Sequence, residues 1–121
     1  MAERPKPPEN ITPDEYYLKW MPEQAAANRD QMAKIKDVNA VIQVVLTGDG
    51  GGEYYMELAG GEIKTGKGKA VSPKMTITQT VGDWREINAG RLNPQMAFMS
   101  GKLKISGDMA LAMKLGSLMG S

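Results

Sequence analysis

The chain has 121 residues, enough for one hydrophobic core and too few for two. Its 15 basic and 14 acidic residues leave a formal charge of +1, so no strong attraction to nucleic acid or to an anionic membrane is expected. Cysteine and histidine are both absent, which excludes disulfides and thiolate metal sites and removes the commonest general base and metal ligand.

Residues 1–11 are polar and proline-rich and read as a mobile tail. Order is expected from Thr12-Pro13-Asp14-Glu15, where Thr12 suits an N-cap, Pro13 the first helical position and Glu15 the reciprocal partner of a capping box. Tyr16, Tyr17, Trp20 and Met21 then form one apolar stripe. Pro22 lacks an N–H and should break or kink that helix, and a second helix is expected from Pro22 to about Lys36. Residues 12–37 therefore read as two short helices ahead of a main domain over 38–121.

From Val38 the pattern switches to period two. Ile42, Val44 and Leu46 should share a face with Tyr54, Met56 and Leu58, and with Met75 and Ile77. The connections between consecutive strands are short, which predicts an antiparallel meander, since a parallel crossover usually takes a dozen or more residues. Helices return at Thr80, with Asp83 in the first turn, Trp84 and Ile87 one turn apart and Gly90 as a stop. Asn93-Pro94 opens another helix that Gly101 ends. A last strand places Leu103 and Ile105 inward and Lys102 and Lys104 outward. Gly107-Asp108 then starts a helix carrying Met109, Leu111, Ala112, Met113 and Leu115. This order is that of an α+β domain with helices over one face of a sheet.

The run Leu92–Leu115 concentrates these signals: a helix start, a helix stop, a short alternating strand and a second helix start. With Gly82-Asp83-Trp84 and Gly90 ahead of it, the chain from about residue 40 to 118 resembles the type-2 sterol carrier protein family. The resemblance implies a five-stranded, mostly antiparallel sheet covered on one face by helices, enclosing an apolar tunnel. It also implies binding and transfer of sterols, fatty acids or fatty acyl-CoA. The alternative use of such a domain is a structural or dimerisation module with a vestigial cavity.

The residues that would line the tunnel are Val44, Leu46, Met56, Met75, Ile77, Trp84, Met99, Met109, Leu111 and Met113. Methionine also fills irregular cores, and that reading applies to Met96 and Met119 as much as to the rest. Met99, Met109 and Met113 are the positions most suited to ligand contact, because flexible walls re-pack around different chains. Phe98 reads as an anchor of its helix on the sheet, and Leu103 and Ile105 as fold residues. Tyr16, Tyr17 and Trp20 could pack, form a lid, contact a second subunit or touch a membrane transiently.

Glycines 48–52 lack the Gly-Lys-Ser/Thr of a phosphate loop. The Lys64–Lys69 run is a solvated strand and turn, or a cationic rim for a carboxylate or CoA phosphate. Glu57 and Glu62 have no partner suited to carboxylate chemistry. No catalysis, cofactor, metal or nucleic acid is therefore expected. The partners expected are a lipid or fatty acyl ligand and a homodimer mate. Neither end carries a targeting signal or a membrane span, so a cytoplasmic location is expected.

Overall fold

The computed structural model describes residues 7, 8 and 10–120. Most of the expected N-terminal tail, residues 1–6 and 9, lies outside the described residues, as do the side chains of Leu115 and Met119. The tail assignment needs one correction. Ile11 is buried against Tyr16, Tyr17 and Trp84, and its carbonyl accepts a hydrogen bond from Arg85 Nη1 at 3.2 Å. Packed structure thus starts before Thr12.

Helix α1 (Pro13–Glu15) begins with the complete capping box expected of Thr12 and Glu15. It runs through a π-helical turn (Tyr16–Trp20) into α2 (Met21–Ala27). Pro22 therefore does not end the helix. A proline ring would strike the carbonyl four residues back in an α-helix. Widening the turn, with the Met21 N–H on the Tyr16 carbonyl, relieves that conflict locally. The break comes at Asn28, whose φ of −119° and ψ of 56° leave helical space. Its Nδ2 donates to the Gln24 carbonyl at 2.7 Å. Helix α3 (Arg29–Ala33) follows, so the expected single helix from Pro22 to Lys36 is two.

Five strands follow the expected chain order: β1 (Ala40–Thr47), β2 (Gly52–Ala59), β3 (Glu62–Lys67), β4 (Met75–Thr80) and β5 (Lys104–Gly107). Helices α4 (Val81–Asn88) and α5 (Pro94–Met99) separate β4 from β5, and α6 (Met109–Gly120) ends the chain. The spatial order is β3-β2-β1-β4-β5. The meander is limited to β1, β2 and β3, because β4 lies parallel to β1 on its far side. The remaining pair, β4 and β5, is antiparallel.

The parallel crossover is short because of register. Lys67, the end of β3, is level with Tyr54 and Val44, while Met75, the start of β4, is level with Ile42. The chain hardly has to climb back; it only has to cross. Three strand spacings of about 4.8 Å make a gap of about 14 Å, well within the reach of about 26 Å for eight extended Cα steps. Gln43, on the sheet face opposite Ile42 and Val44, holds this crossover. Its Nε2 donates to the carbonyls of Tyr54 and Gly68, both at 3.0 Å, and its Oε1 accepts from the Ala70 N–H at 2.7 Å.

The other face carries the core, as the alternation predicts. Paired residues Ile42–Met56, Val44–Tyr54, Ile42–Met75 and Val44–Ile77 all point to the helical side. Two clusters form there. One joins Ile11, Tyr16, Tyr17, Val44, Leu46, Tyr54 and Trp84. The other joins Ile35, Val38, Ala40, Ile42, Leu58, Met75 and Leu111. Residues 12–37 contribute to both, so these N-terminal helices share one core with the strands.

Candidate functional site

The two clusters occupy opposite ends of the inner sheet face. Met56 packs against both. Ile63, Ile77, Ile105 and Ala112, which pack against the second cluster, are only half-buried. Burial on the inner face is deepest at Ile42 and Val44 on the central strand and falls off toward Ile63 on β3 and Ile77 and Ile105 on β4 and β5. Helices α5 and α6, packed side by side, stand at the β5 flank of that face.

Helix α4 is the rigid wall. The Thr80 hydroxyl accepts from the Asp83 N–H at 3.0 Å, fixing its start. Trp84 is buried, with Tyr16 edge-on at 5.3 Å between ring centroids and the Arg85 guanidinium 5.6 Å from its own ring. At the far end Gly90 adopts φ +80°, and the Arg91 and Leu92 N–H groups return to the Glu86 carbonyl. Arg91 also binds the Glu86 carboxylate at 2.6 Å and, with Lys102 nearby, holds that carboxyl below its ordinary range.

Helix α5 is built differently. Asn93 caps it through Oδ1, 2.8 Å from the Gln95 N–H. Only Ala97 faces fully inward, and its carbonyl accepts the N–H groups of Lys102 and Leu103 at 2.9 and 3.0 Å. The chain reaches those two donors through Gly101 at φ +82°. Its large side chains face out: Met96 is 63% exposed, Phe98 42% and Met99 81%. Phe98 therefore does not act as the expected buried anchor. A six-residue helix held by a small alanine leaves its bulky neighbours nowhere to turn but outward.

Helix α6 is tied to the sheet at its root. Gly107, at φ +101°, lies so close to Lys74 that a Cβ would overlap the Lys74 carbonyl, and the Asp108 N–H donates to that same carbonyl at 2.9 Å. Asp108 Oδ1 in turn accepts from the Leu111 N–H at 3.0 Å. Leu111 is buried in the second cluster, whereas Met109 and Met113, one turn apart, are 43% and 75% exposed.

The ten sequence-selected residues therefore divide. Val44, Leu46 and Trp84 are buried at one end of the inner face, and Met75 and Leu111 at the other. Met56, which packs against both clusters, and Ile77, which packs against the second, are half-buried. Met99, Met109 and Met113 stand at the outer flank on α5 and α6. Sequence reasoning missed Met96 and Phe98 as members of that flank. The signal available was Ala97, the one small residue that α5 could place against the fold.

Outside this region one polar node stands out. The Tyr54 hydroxyl donates to Asp14, and Lys67 Nζ lies 3.1 Å from the same carboxylate. The Tyr54 bond, then Lys67, hold the Asp14 carboxyl below its usual value, while burial first and Asp14 second push the Tyr54 phenol up. Lys67 is thus engaged structurally, and Lys64 and Lys69 are exposed. Among the described residues no group of three or more carboxylates, histidines or cysteines is placed to hold a metal ion.

The sequence model of the SCP-2 sterol transfer family matches residues 21–120. The chain belongs to this family. The match begins within α2, well ahead of the region whose motifs carried the resemblance. Hydroxysteroid dehydrogenase-like protein 2 of Xenopus laevis is 38% identical over 87 residues, 71% of this chain and 21% of that protein. Peroxisomal multifunctional enzyme A of Dictyostelium discoideum is 48% identical over 64 residues, 48% of this chain and 14% of that protein. This SCP-2 chain thus spans about a fifth or less of the curated relatives it matches. Among solved structures, the sterol carrier protein domain 2 of Helicoverpa armigera superposes with a TM-score of 0.70 at 28% identity, covering 89% of each chain. Palmitated SCP2L2 of Aedes aegypti superposes at 0.67 with 23% identity, covering 87% of this chain and 96% of that one.

These relatives bear out the fold: an α+β domain on a five-stranded mixed sheet. They also correct one expectation. No catalysis was expected of this chain, yet the relatives carry the names of a multifunctional enzyme and a dehydrogenase-like protein. A domain of this family is part of those longer proteins, and the activities in their names belong to the whole chains.

Proposed function

We propose that this SCP-2 domain binds the apolar body of a sterol, fatty acid or fatty acyl-CoA between the inner sheet face and the helices, and releases it to an acceptor. The observation that supports this reading is the set of half-buried apolar side chains on the inner face, Met56, Ile77, Ile105 and Ala112. Helices α5 and α6 add the exposed Met99, Met109 and Met113. The family name and the palmitated relative point to the same ligand class.

The energetics are sufficient without a charged contact. About 14 methylenes leaving water contribute about 11 kcal/mol. Loss of free motion costs about 4–15 kcal/mol, so micromolar binding is reachable near the low end of that cost. Flexible thioether walls discriminate poorly between chain lengths, so the ligand range should be broad.

A fluorescent fatty acid or sterol analogue titrated in vesicle-free solution should bind saturably, and Met109→Glu or Met113→Glu should abolish binding. Saturable binding that survives both substitutions would remove the ligand from this flank. No binding by any lipid, with a lipid-free dimer in native mass spectrometry, would favour the structural module instead.

A further inference from the structure

We propose that β4 and α4 form a polar subsite for the hydroxyl of a neutral lipid alcohol, beside the half-buried apolar side chains of the inner face. The inference rests on the lipid-binding reading and adds a head-group preference to it. Three buried side-chain polar atoms find no hydrogen-bond partner among the described residues: Gln79 Oε1, Trp84 Nε1 and Asn88 Nδ2. Buried polar groups are ordinarily paired, so each such atom calls for an explanation.

The fold brings the three to one side of the sheet. Met75, Ile77 and Gln79 alternate along the inner row of β4, and Gln79 is level with Leu46 on β1. Leu46 packs in the cluster that holds Trp84. Asn88 follows Trp84 by one helical turn, on the same face of α4. Helix α4 in turn packs on both β4 and β1. Gln79 therefore gives the half-buried apolar row of Ile77 a polar end. Trp84 Nε1 comes near the Tyr17 hydroxyl without completing a hydrogen bond to it.

The set is one acceptor and two donors, all uncharged. A hydroxyl gives one hydrogen bond and takes two, so it answers all three. A carboxylate only accepts, and would set a buried charge against Gln79 Oε1. Arg85, the basic residue of α4, does not offset that charge, because its Nη1 donates to the Ile11 carbonyl at 3.2 Å. The apolar walls discriminate poorly by chain length; this end discriminates by head group.

The test displaces a fluorescent fatty acid analogue from the whole chain with dodecanol, its methyl ether and dodecanoate, and with cholesterol and its methyl ether. The ether keeps the accepting oxygen and lacks the proton for Gln79. An alcohol that fits should bind about tenfold more tightly than its ether. Preference in the straight-chain pair assigns the subsite to a long-chain alcohol, and in the sterol pair to a sterol. Gln79→Leu should abolish the preference while leaving ether binding in place, and Asn88→Leu should weaken alcohol and ether alike. Equal affinity for alcohol and ether in both pairs would overturn the proposal and leave the three atoms to a buried water. A preference that survives Gln79→Leu, or tighter binding of dodecanoate than of dodecanol, would also overturn it. No binding of the fluorescent analogue or of any competitor would instead fail the lipid-binding reading itself.

Discussion

Asp14 shows how one exposed carboxylate can matter to a buried ring. Its partners are the hydroxyl of Tyr54, a buried residue whose ring stacks on Tyr17, and the ammonium of Lys67 on the edge strand. Because its folded pKa is depressed, the unfolded chain binds the proton more readily. The node's contribution is complete above the ordinary aspartate value of 3.8 and is lost as pH falls through the lower folded value. Urea melts between neutral pH and pH 3 should show this as a loss of stability on acidification. Tyr54→Phe should shrink the acid-dependent part while leaving the aromatic stacking on Tyr17, at 4.9 Å, in place. An unchanged pH profile in that variant would remove Tyr54 from the node. At the same scale Gly107 admits no side chain, since any Cβ there meets Lys74 backbone at the root of α6.

Among the elements, the seven-residue crossover between β3 and β4 depends most on a single side chain. Gln43→Leu keeps the bulk but leaves the Gly68 carbonyl and the Ala70 N–H without their partner. Each orphaned backbone group costs about 1–3 kcal/mol. A loss of about 2–4 kcal/mol in denaturant melts is expected, with faster hydrogen exchange appearing first in residues 68–74. This crossover was also the least legible part of the chain. The strand alternation, the caps at Thr12, Thr80 and Asn93, and the glycine stops at Gly90 and Gly101 are local signals, and each formed where its chemistry dictates. The side on which β4 joins β1 is set by register between strands far apart in sequence, to which local pattern is blind. The π-helical turn before Pro22 was hidden for a related reason: its proline announces a conflict without saying how the backbone resolves it. In the candidate site, methionine content marked Met99, Met109 and Met113, but only the fold puts Met96 and Phe98 beside them.

At the scale of the whole molecule, one layer of helices covers a single sheet face, sealing Ile42 and Val44 on the central strand and leaving Ile63, Ile77 and Ile105 toward the edges half-buried. A ligand seated against Met56, which packs on both clusters, would couple their unfolding. A saturating fatty acid at about 100 times its Kd should stabilise the fold by about 2.7 kcal/mol, visible as one cooperative transition at a higher Tm. Two separate transitions, only one of them shifted, would show that the ligand contacts one end alone. The Gln43 contacts have a further consequence, in time. They close loops of 11, 25 and 27 residues at once, and need β2 and the end of β3 to be in place beforehand. A latch of that kind is set late in assembly. Its loss should therefore leave the refolding rate nearly untouched and appear as faster unfolding, so that Gln43 governs how long each molecule stays native more than how quickly it gets there.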